Sequence, residues 1–140
     1  METSKMGCNI HGFIEVLEYP DSKSWFSVHE IPYTRNYRFY AVIAGVRNYI
    51  EINPISKAKG LPTDVGMMSS VESKEMGSDG HTHSWLTYKE LKEYDWLQDV
   101  GGSMLIDNIH IHFKSMLNEM RFLSSTYGEE KVRVVFWFDN

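Results

Sequence analysis

Lys131-Val132-Arg133-Val134-Val135-Phe136-Trp137-Phe138 is the stretch that decides the fold. β-branched and aromatic residues fill it, which is the composition of a strand. It is too apolar on both faces for an exposed edge, so it is expected at the centre of a sheet, beside an N-terminal hairpin. That hairpin is legible at the other end of the chain. Between Cys8 and Tyr19, Cys8, Ile10, Gly12, Ile14 and Val16 point one way, and Asn9, His11, Phe13, Glu15 and Leu17 the other. This is the period of two of a strand. Pro20 to Lys23 reads as a turn, and Ser24 to Ile31 as the second strand.

Helical spacing appears between the strands. Tyr37, Tyr40, Ile43, Ala44 and Arg47 mark a helix over Asn36 to Asn48, with Asn36 placed to cap it. Residues 49–80 carry Pro54, Pro62 and four glycines among polar residues. They read as a long connection with one short helix around Met67 to Met76, the kind of segment that forms binding loops. Thr87 and Glu90 match a capping box opening a short helix through Trp96, before Gly101-Gly102. Met104 to Tyr127 is the longest helical pattern, with Gly128 closing it. The expected fold class is α+β: a small antiparallel or mixed sheet, built from the N-terminal hairpin plus the C-terminal strand, packed against helices. Residues 1–140 are expected to form a single domain, with residues 1–5 a flexible leader and Met6 an alternative start to Met1.

Composition narrows the function classes. At 140 residues the chain has the length of one domain. It carries no apolar run long enough for a membrane span and no apolar leader of a signal peptide, so no membrane partner is expected. One cysteine, Cys8, rules out an internal disulfide framework and is compatible with a reducing compartment. The net charge of −5 argues against a nucleic-acid partner, which calls for a basic field. The charge is uneven, however. Residues 31–60 hold Arg35, Arg38, Arg47, Lys57 and Lys59 against the single acid Glu51. That local net of +4 leaves −9 on the rest of the chain, and it suits a compact anion better than a long polyanion.

Three histidine groups invite a metal reading: Cys8 with His11, His81 with His83, and His110 with His112. Zinc takes such ligands in tetrahedral sets. On a strand Cys8 and His11 point to opposite faces. On a helix residues two apart diverge by roughly 200°, which separates His110 from His112. Only His81 and His83, placed in an exposed turn, remain an easy chelate, and neither a metal nor another cofactor is expected. A second constellation needs no metal. His11 and Glu15 share a strand face at about 13 Å along the strand, too far for a dyad but close enough to line one pocket. Adding Arg35, Arg47, His81, Ser84 and Trp85 supplies cations for phosphate, a proton-transfer group near neutrality and an aromatic platform. His11 and His81 are the candidate catalytic residues for acid–base chemistry on a phosphodiester. The reading requires the opening strand, the arginine-bearing middle and the His-Trp corner to surround one cavity.

Several stretches resemble a family of small phage and prophage proteins that open Met-Gly-Cys-Asp-Ile-His with an acid four positions after the His. Here they are Met6-Gly7-Cys8-Asn9-Ile10-His11 with Glu15, Arg35-Asn36-Tyr37 with Phe39, and Ala44-Gly45-Val46-Arg47-Asn48. Further on come Gly60-Leu61-Pro62 with Asp64, Asp79-Gly80-His81 through Ser84-Trp85-Leu86-Thr87, and the closing Phe136-Trp137-Phe138-Asp139-Asn140. Two departures stand out: Asn9 replaces the usual Asp, and His83 replaces a small polar residue. The resemblance implies phage origin and action in the host cytoplasm rather than a particular reaction. The favoured expectation is a phage accessory protein that binds, and sequesters or cleaves, a small phosphorylated nucleotide-like ligand such as a host immune signal. The alternatives are a protein-binding inhibitor of a host enzyme, and a zinc metalloprotein. A homo-oligomer is compatible with any of them.

Overall fold

The computed structural model describes residues 7–19 and 23–140. The leader, Met6 and the turn residues Pro20 to Ser22 lie outside the described residues. The elements run β1 (Asn9–Leu17), β2 (Trp25–Glu30), α1 (Tyr37–Ala44), α2 (Met67–Met76), β3 (His81–Thr87), α3 (Tyr88–Glu93), β4 (Asp99–Val100), β5 (Ser103–Met104), α4 (Ile111–Tyr127) and β6 (Val132–Asp139). Short 3-10 turns at Gly77–Asp79 and Leu105–Asn108 complete them. The fold is α+β. Its main sheet has the order β2-β1-β6-β3 and is antiparallel throughout, and β4 and β5 form a separate small hairpin.

The apolar closing strand β6 is central, as its composition requires. Register with β1 sorts the side chains into two faces. Ile10 faces Phe138, Gly12 faces Phe136, Ile14 faces Val134 and Val16 faces Val132 on one side. This face joins Leu86 of β3 with Phe39, Tyr40, Phe113, Met116 and Met120 in the main core. Phe39 stacks on Phe113 at 4.2 Å between ring centres. Gly12 is required here, because a Cβ at that position would run into the Val135 carbonyl of β6.

The opposite face has a different character. It pairs His11 with Trp137, Phe13 with Val135, and Glu15 with Arg133. Glu15 and Arg133 are both buried, and Arg133 donates from Nε at 2.9 Å and from Nη2 at 2.8 Å to Glu15 Oε1. The other carboxylate oxygen accepts from the Gly66 N–H at 3.0 Å and the Ser69 hydroxyl at 2.8 Å. Arg133 also donates to Asp64, and its guanidinium lies 3.7 Å from the centre of the Trp25 ring. Helix α2 buries only Ser69 and Ser73. Its contact with the sheet is therefore polar, carried by the Glu15 carboxylate, and not by an apolar stripe.

Four expectations need correction. The helix expected over Asn36 to Asn48 stops at Ala44, because left-handed Gly45 ends it, so Arg47 lies in the following loop. The long helix does not begin at Met104. Gly101 and Gly102, both left-handed, form the two-residue turn of the β4–β5 hairpin, and Leu105 to Asn108 make a 3-10 turn. Asn108 bonds back to Ser103 and Met104, an alternative to helical pairing. Helix α4 starts after His110, whose Nδ1 accepts from the His112 N–H at 3.1 Å. Asn36 precedes α1 without capping it through its side chain; its Oδ1 accepts instead from the His110 N–H at 3.0 Å. Helix α3 stops at Glu93, short of Trp96, although the Thr87–Glu90 capping box forms as expected.

Removing Arg133 strands a buried carboxylate. Arg133→Ala is expected to cost about 3–5 kcal/mol of unfolding free energy in urea titrations. The apolar pair Glu15→Leu with Arg133→Met should recover part of that loss. A single variant within about 1 kcal/mol of the parent would contradict the assignment.

Candidate functional site

The arginines of the middle segment meet in one cavity of about 440 Å³. Arg35, Tyr37 and Arg38 reach it from the start of α1, and Arg47 and Tyr49 from the loop that follows that helix. Local chemistry shapes this loop. Gly45 ends α1 in the left-handed region, and its N–H donates to Ala41 O at 2.9 Å. Arg47 and Glu51 also take positive φ, at 51° and 53°, an uncommon state for side-chain-bearing residues. Asn48 pins the curl, accepting from the Ile52 N–H at 3.1 Å and donating to Ile52 O at 2.8 Å. The Arg47 guanidinium is thereby held 5.2 Å from the centre of the Tyr37 ring.

The opening motif forms the neighbouring wall. The Cys8 N–H donates to the Tyr37 hydroxyl at 3.1 Å, and Arg35 Nε donates to Asn9 Oδ1 at 2.9 Å. The Arg35 guanidinium lies where a Cβ on Gly7 would be, so glycine at that position lets the arginine lie flat against the chain. Cys8 is fully buried, and burial pushes its thiol up despite the nearby Arg47 and Arg35. That disfavours the thiolate a nucleophile needs. No carboxylate lines the cavity among the described residues. Tyr49 is 69% exposed, leaving a broad ring at its mouth.

The other expected site residues lie elsewhere. His11 sits at the same end of the sheet, outside the arginine cavity. Its Nε2 donates to Asp139 Oδ1 at 2.8 Å, and its ring lies edge-on to Tyr33 and stacked beside Trp137. His81 is also outside, donating from Nε2 to Asn140 at 2.9 Å and stacking on Phe138. Glu15 is closed within the Arg133 pair and cannot meet a ligand without breaking it. Ser84 is buried and accepts from the Lys59 N–H at 3.0 Å. Trp85 belongs to a separate groove with Trp25, under the Lys59 ammonium at 4.0 Å. One cavity shared by all three chain regions is therefore not what the structure shows: Arg35 and Arg47 come together, and the histidines and the Ser-Trp pair do not join them.

The histidine geometry also differs from expectation. His81 and His83 lie on β3, not in an exposed turn. A bulge between His81 and Ser84, with Thr82 at φ 55°, rotates the strand so that His81 stacks on Phe138 while His83 stacks on Trp137. Neighbouring β6 residues point to opposite faces, which splits the chelate. His110, being outside the helix, comes within 4.5 Å of His112 between ring centres, closer than two helical positions would allow. Among the described residues no group of three or more His, Cys, Asp or Glu side chains could hold a metal ion. No helix among them is long and apolar enough to cross a membrane.

Nothing in the sequence marks Tyr37 and Tyr49 as site residues, and Arg38 enters only through the charge of its segment. The signal was present in the +4 balance of residues 31–60. Arg133 was hidden by the apolar residues around it. Compared with protein families, curated proteins and solved structures, the chain matches none.

Two titrations weaken the fold in acid. Burial lowers the His83 ring below its ordinary 6.5, helped by the His81 charge, so the folded state favours the neutral ring. Burial alone would raise the Asp64 carboxyl, but the hydrogen bond and charge of Arg133 hold it below 3.8. Both contributions are complete at neutral pH. The His83 part fades as pH falls below 6.5, and the Asp64 part is lost only below 3.8. Urea midpoints of His83→Gln should therefore show a shallower decline than the parent between about pH 6.5 and 5. Parallel profiles would contradict the His83 assignment.

Proposed function

We propose that the protein binds a small phosphorylated, nucleotide-like ligand in the arginine cavity and sequesters it. The observation that carries this reading is three arginines and two tyrosines lining about 440 Å³ of space, with no carboxylate in the lining among the described residues. Guanidinium pairs grip phosphate oxygens bidentately, and aromatic rings accept a flat base. The first turn of α1 adds to the positive end, since it holds neither an acidic residue nor a side-chain cap. The loop is already curled by its left-handed residues and by Asn48, so little ordering entropy is spent on binding.

Sequestration fits better than cleavage. Among the described residues the lining offers cations, an amide and phenols, but no His or carboxylate to move a proton near neutral pH. His11 and His81 are occupied by Asp139 and Asn140 and lie outside the cavity. The likeness of the Met-Gly-Cys, Arg-Asn-Tyr and Gly-Val-Arg-Asn segments to phage and prophage proteins supports a role in the host cytoplasm. Gly7, Cys8, Arg35, Tyr37 and Arg47, which those segments contain, are among the residues that build the cavity and its wall. A host immune signal is a ligand of the right chemistry for such a protein.

The test is a melting-temperature panel of nucleoside phosphates, cyclic dinucleotides and ADP-ribose derivatives, with chromatography of the recovered ligand. At least one phosphorylated member should raise the melting temperature and return intact, and its unphosphorylated nucleoside should have no effect. Arg47→Ala should weaken that ligand by about tenfold or more, the worth of one charge-assisted hydrogen bond. Silence across the panel, or undiminished binding by an Arg35→Ala, Arg47→Ala double variant, would reject the proposal.

A further inference from the structure

A second concavity, of about 420 Å³, lies between α3 and α4, lined by residues that no part of the arginine cavity uses. Its floor is apolar: Tyr88 and Leu91 from α3, Leu117 from α4, and Trp96 and Ile106 from the connection between them. Helix α4 presents two stripes. Phe113, Met116 and Met120 are buried in the main core, while Lys114, Leu117, Asn118 and Arg121 form the wall of this groove. That spacing of three, four and seven is one helix face.

The rim is basic. Lys92, Lys114 and Arg121 surround the apolar floor, and among the described residues no acidic side chain lines it. Lys92 is offset by Glu129. Arg121 is held in place by a neutral partner, donating from Nη2 at 2.7 Å and from Nε at 3.2 Å to Asn118 Oδ1, so its charge is fixed at the rim without being cancelled. Lys114 enters none of the ion pairs among the described residues. Two uncompensated cations therefore stand over an apolar trough in a chain whose net charge is −5.

We infer that this groove is a binding site for an anionic amphiphile: an apolar body lying on Trp96, Ile106 and Leu117, with a terminal carboxylate between Lys114 and Arg121. The volume is within the range of small-ligand sites. A carboxylate that meets the fixed guanidinium and the Lys114 ammonium forms charge-assisted hydrogen bonds that a neutral head group cannot. The same rim repels a cationic amphiphile and gives a neutral one nothing to pair with.

Decanoate is the probe, titrated below its micelle concentration against the whole chain and followed by NMR. The Trp96 indole N–H, bonded to Leu91 O at 2.7 Å, is a resolved reporter on the floor. Saturable shifts at Trp96 and along α3 and α4 are expected. Decanol and decyltrimethylammonium should bind about tenfold more weakly or less, and a Lys114→Glu, Arg121→Glu variant should lose decanoate by a similar factor. Both substituted residues lie at the groove's rim, outside the core, and an unchanged melting temperature confirms that the variant folds. The inference is overturned by no saturable shift, by equal binding of the three ligands, by decanoate binding that survives the charge reversal, or by shifts confined to Tyr37 and Tyr49.

Discussion

A carboxylate and a guanidinium buried face to face across the two central strands set the terms for one whole side of this molecule. Taking two such charges out of water is costly, and the cost is met only if their remaining hydrogen bonds are satisfied. Glu15 and Arg133 satisfy them by recruiting distant chain. The Gly66 N–H and the Ser69 hydroxyl fix the start of α2, and Asp64 and Trp25 fix the preceding loop and the edge strand. Gly66 has no room for a side chain, since a Cβ there would meet the Glu15 carboxylate. A helix that buries only two serines would otherwise have little reason to rest on the sheet. The pair also fixes register: a slip of one residue between β1 and β6 would turn one of the two charges into the apolar core and leave the other buried without its partner.

Register carries the consequence to the far end of the sheet. The alignment that faces Glu15 with Arg133 also faces Asn9 with Asp139. Asn9 anchors Arg35, and Cys8 anchors Tyr37, so the wall of the arginine cavity is placed by strands whose pairing is decided elsewhere. Packing of Phe39, Tyr40 and Ile43 into the main core holds α1 at that wall. The site is thus borne on a regular element and on one loop stiffened by its own hydrogen bonds.

Much of the architecture was legible because it rests on local pattern. Alternation in residues 9–17 and the apolar run 132–138 are properties of adjacent residues, as is the Thr87–Glu90 capping box. Gly66 and Gly77 bound the helix from Met67 to Met76 on both sides, a signal that is local as well. What was not legible depends on partners far along the chain. Glu15 resembles a pocket residue until Arg133, 118 positions away, is placed opposite it. His81 and His83 follow Asp-Gly and look like turn residues; pairing with β6 makes them strand. Leu105 to Asn108 has helical spacing, yet Asn108 and the hairpin at Gly101-Gly102 draw it into a tighter turn. For the candidate site, the charge balance of residues 31–60 marks the segment whose Arg35 and Arg47 line one cavity. It could not tell that Tyr37 and Tyr49 would stand beside them or that the histidines would stand apart.

The most direct measurement is a crystal structure with a nucleoside phosphate at saturating concentration. Phosphate oxygens are expected among Arg35, Arg38 and Arg47, with the base against Tyr37 or Tyr49 and the backbone of residues 45–52 unmoved. Ligand density beside His11 or His81, with the arginine cavity holding only solvent, would contradict it.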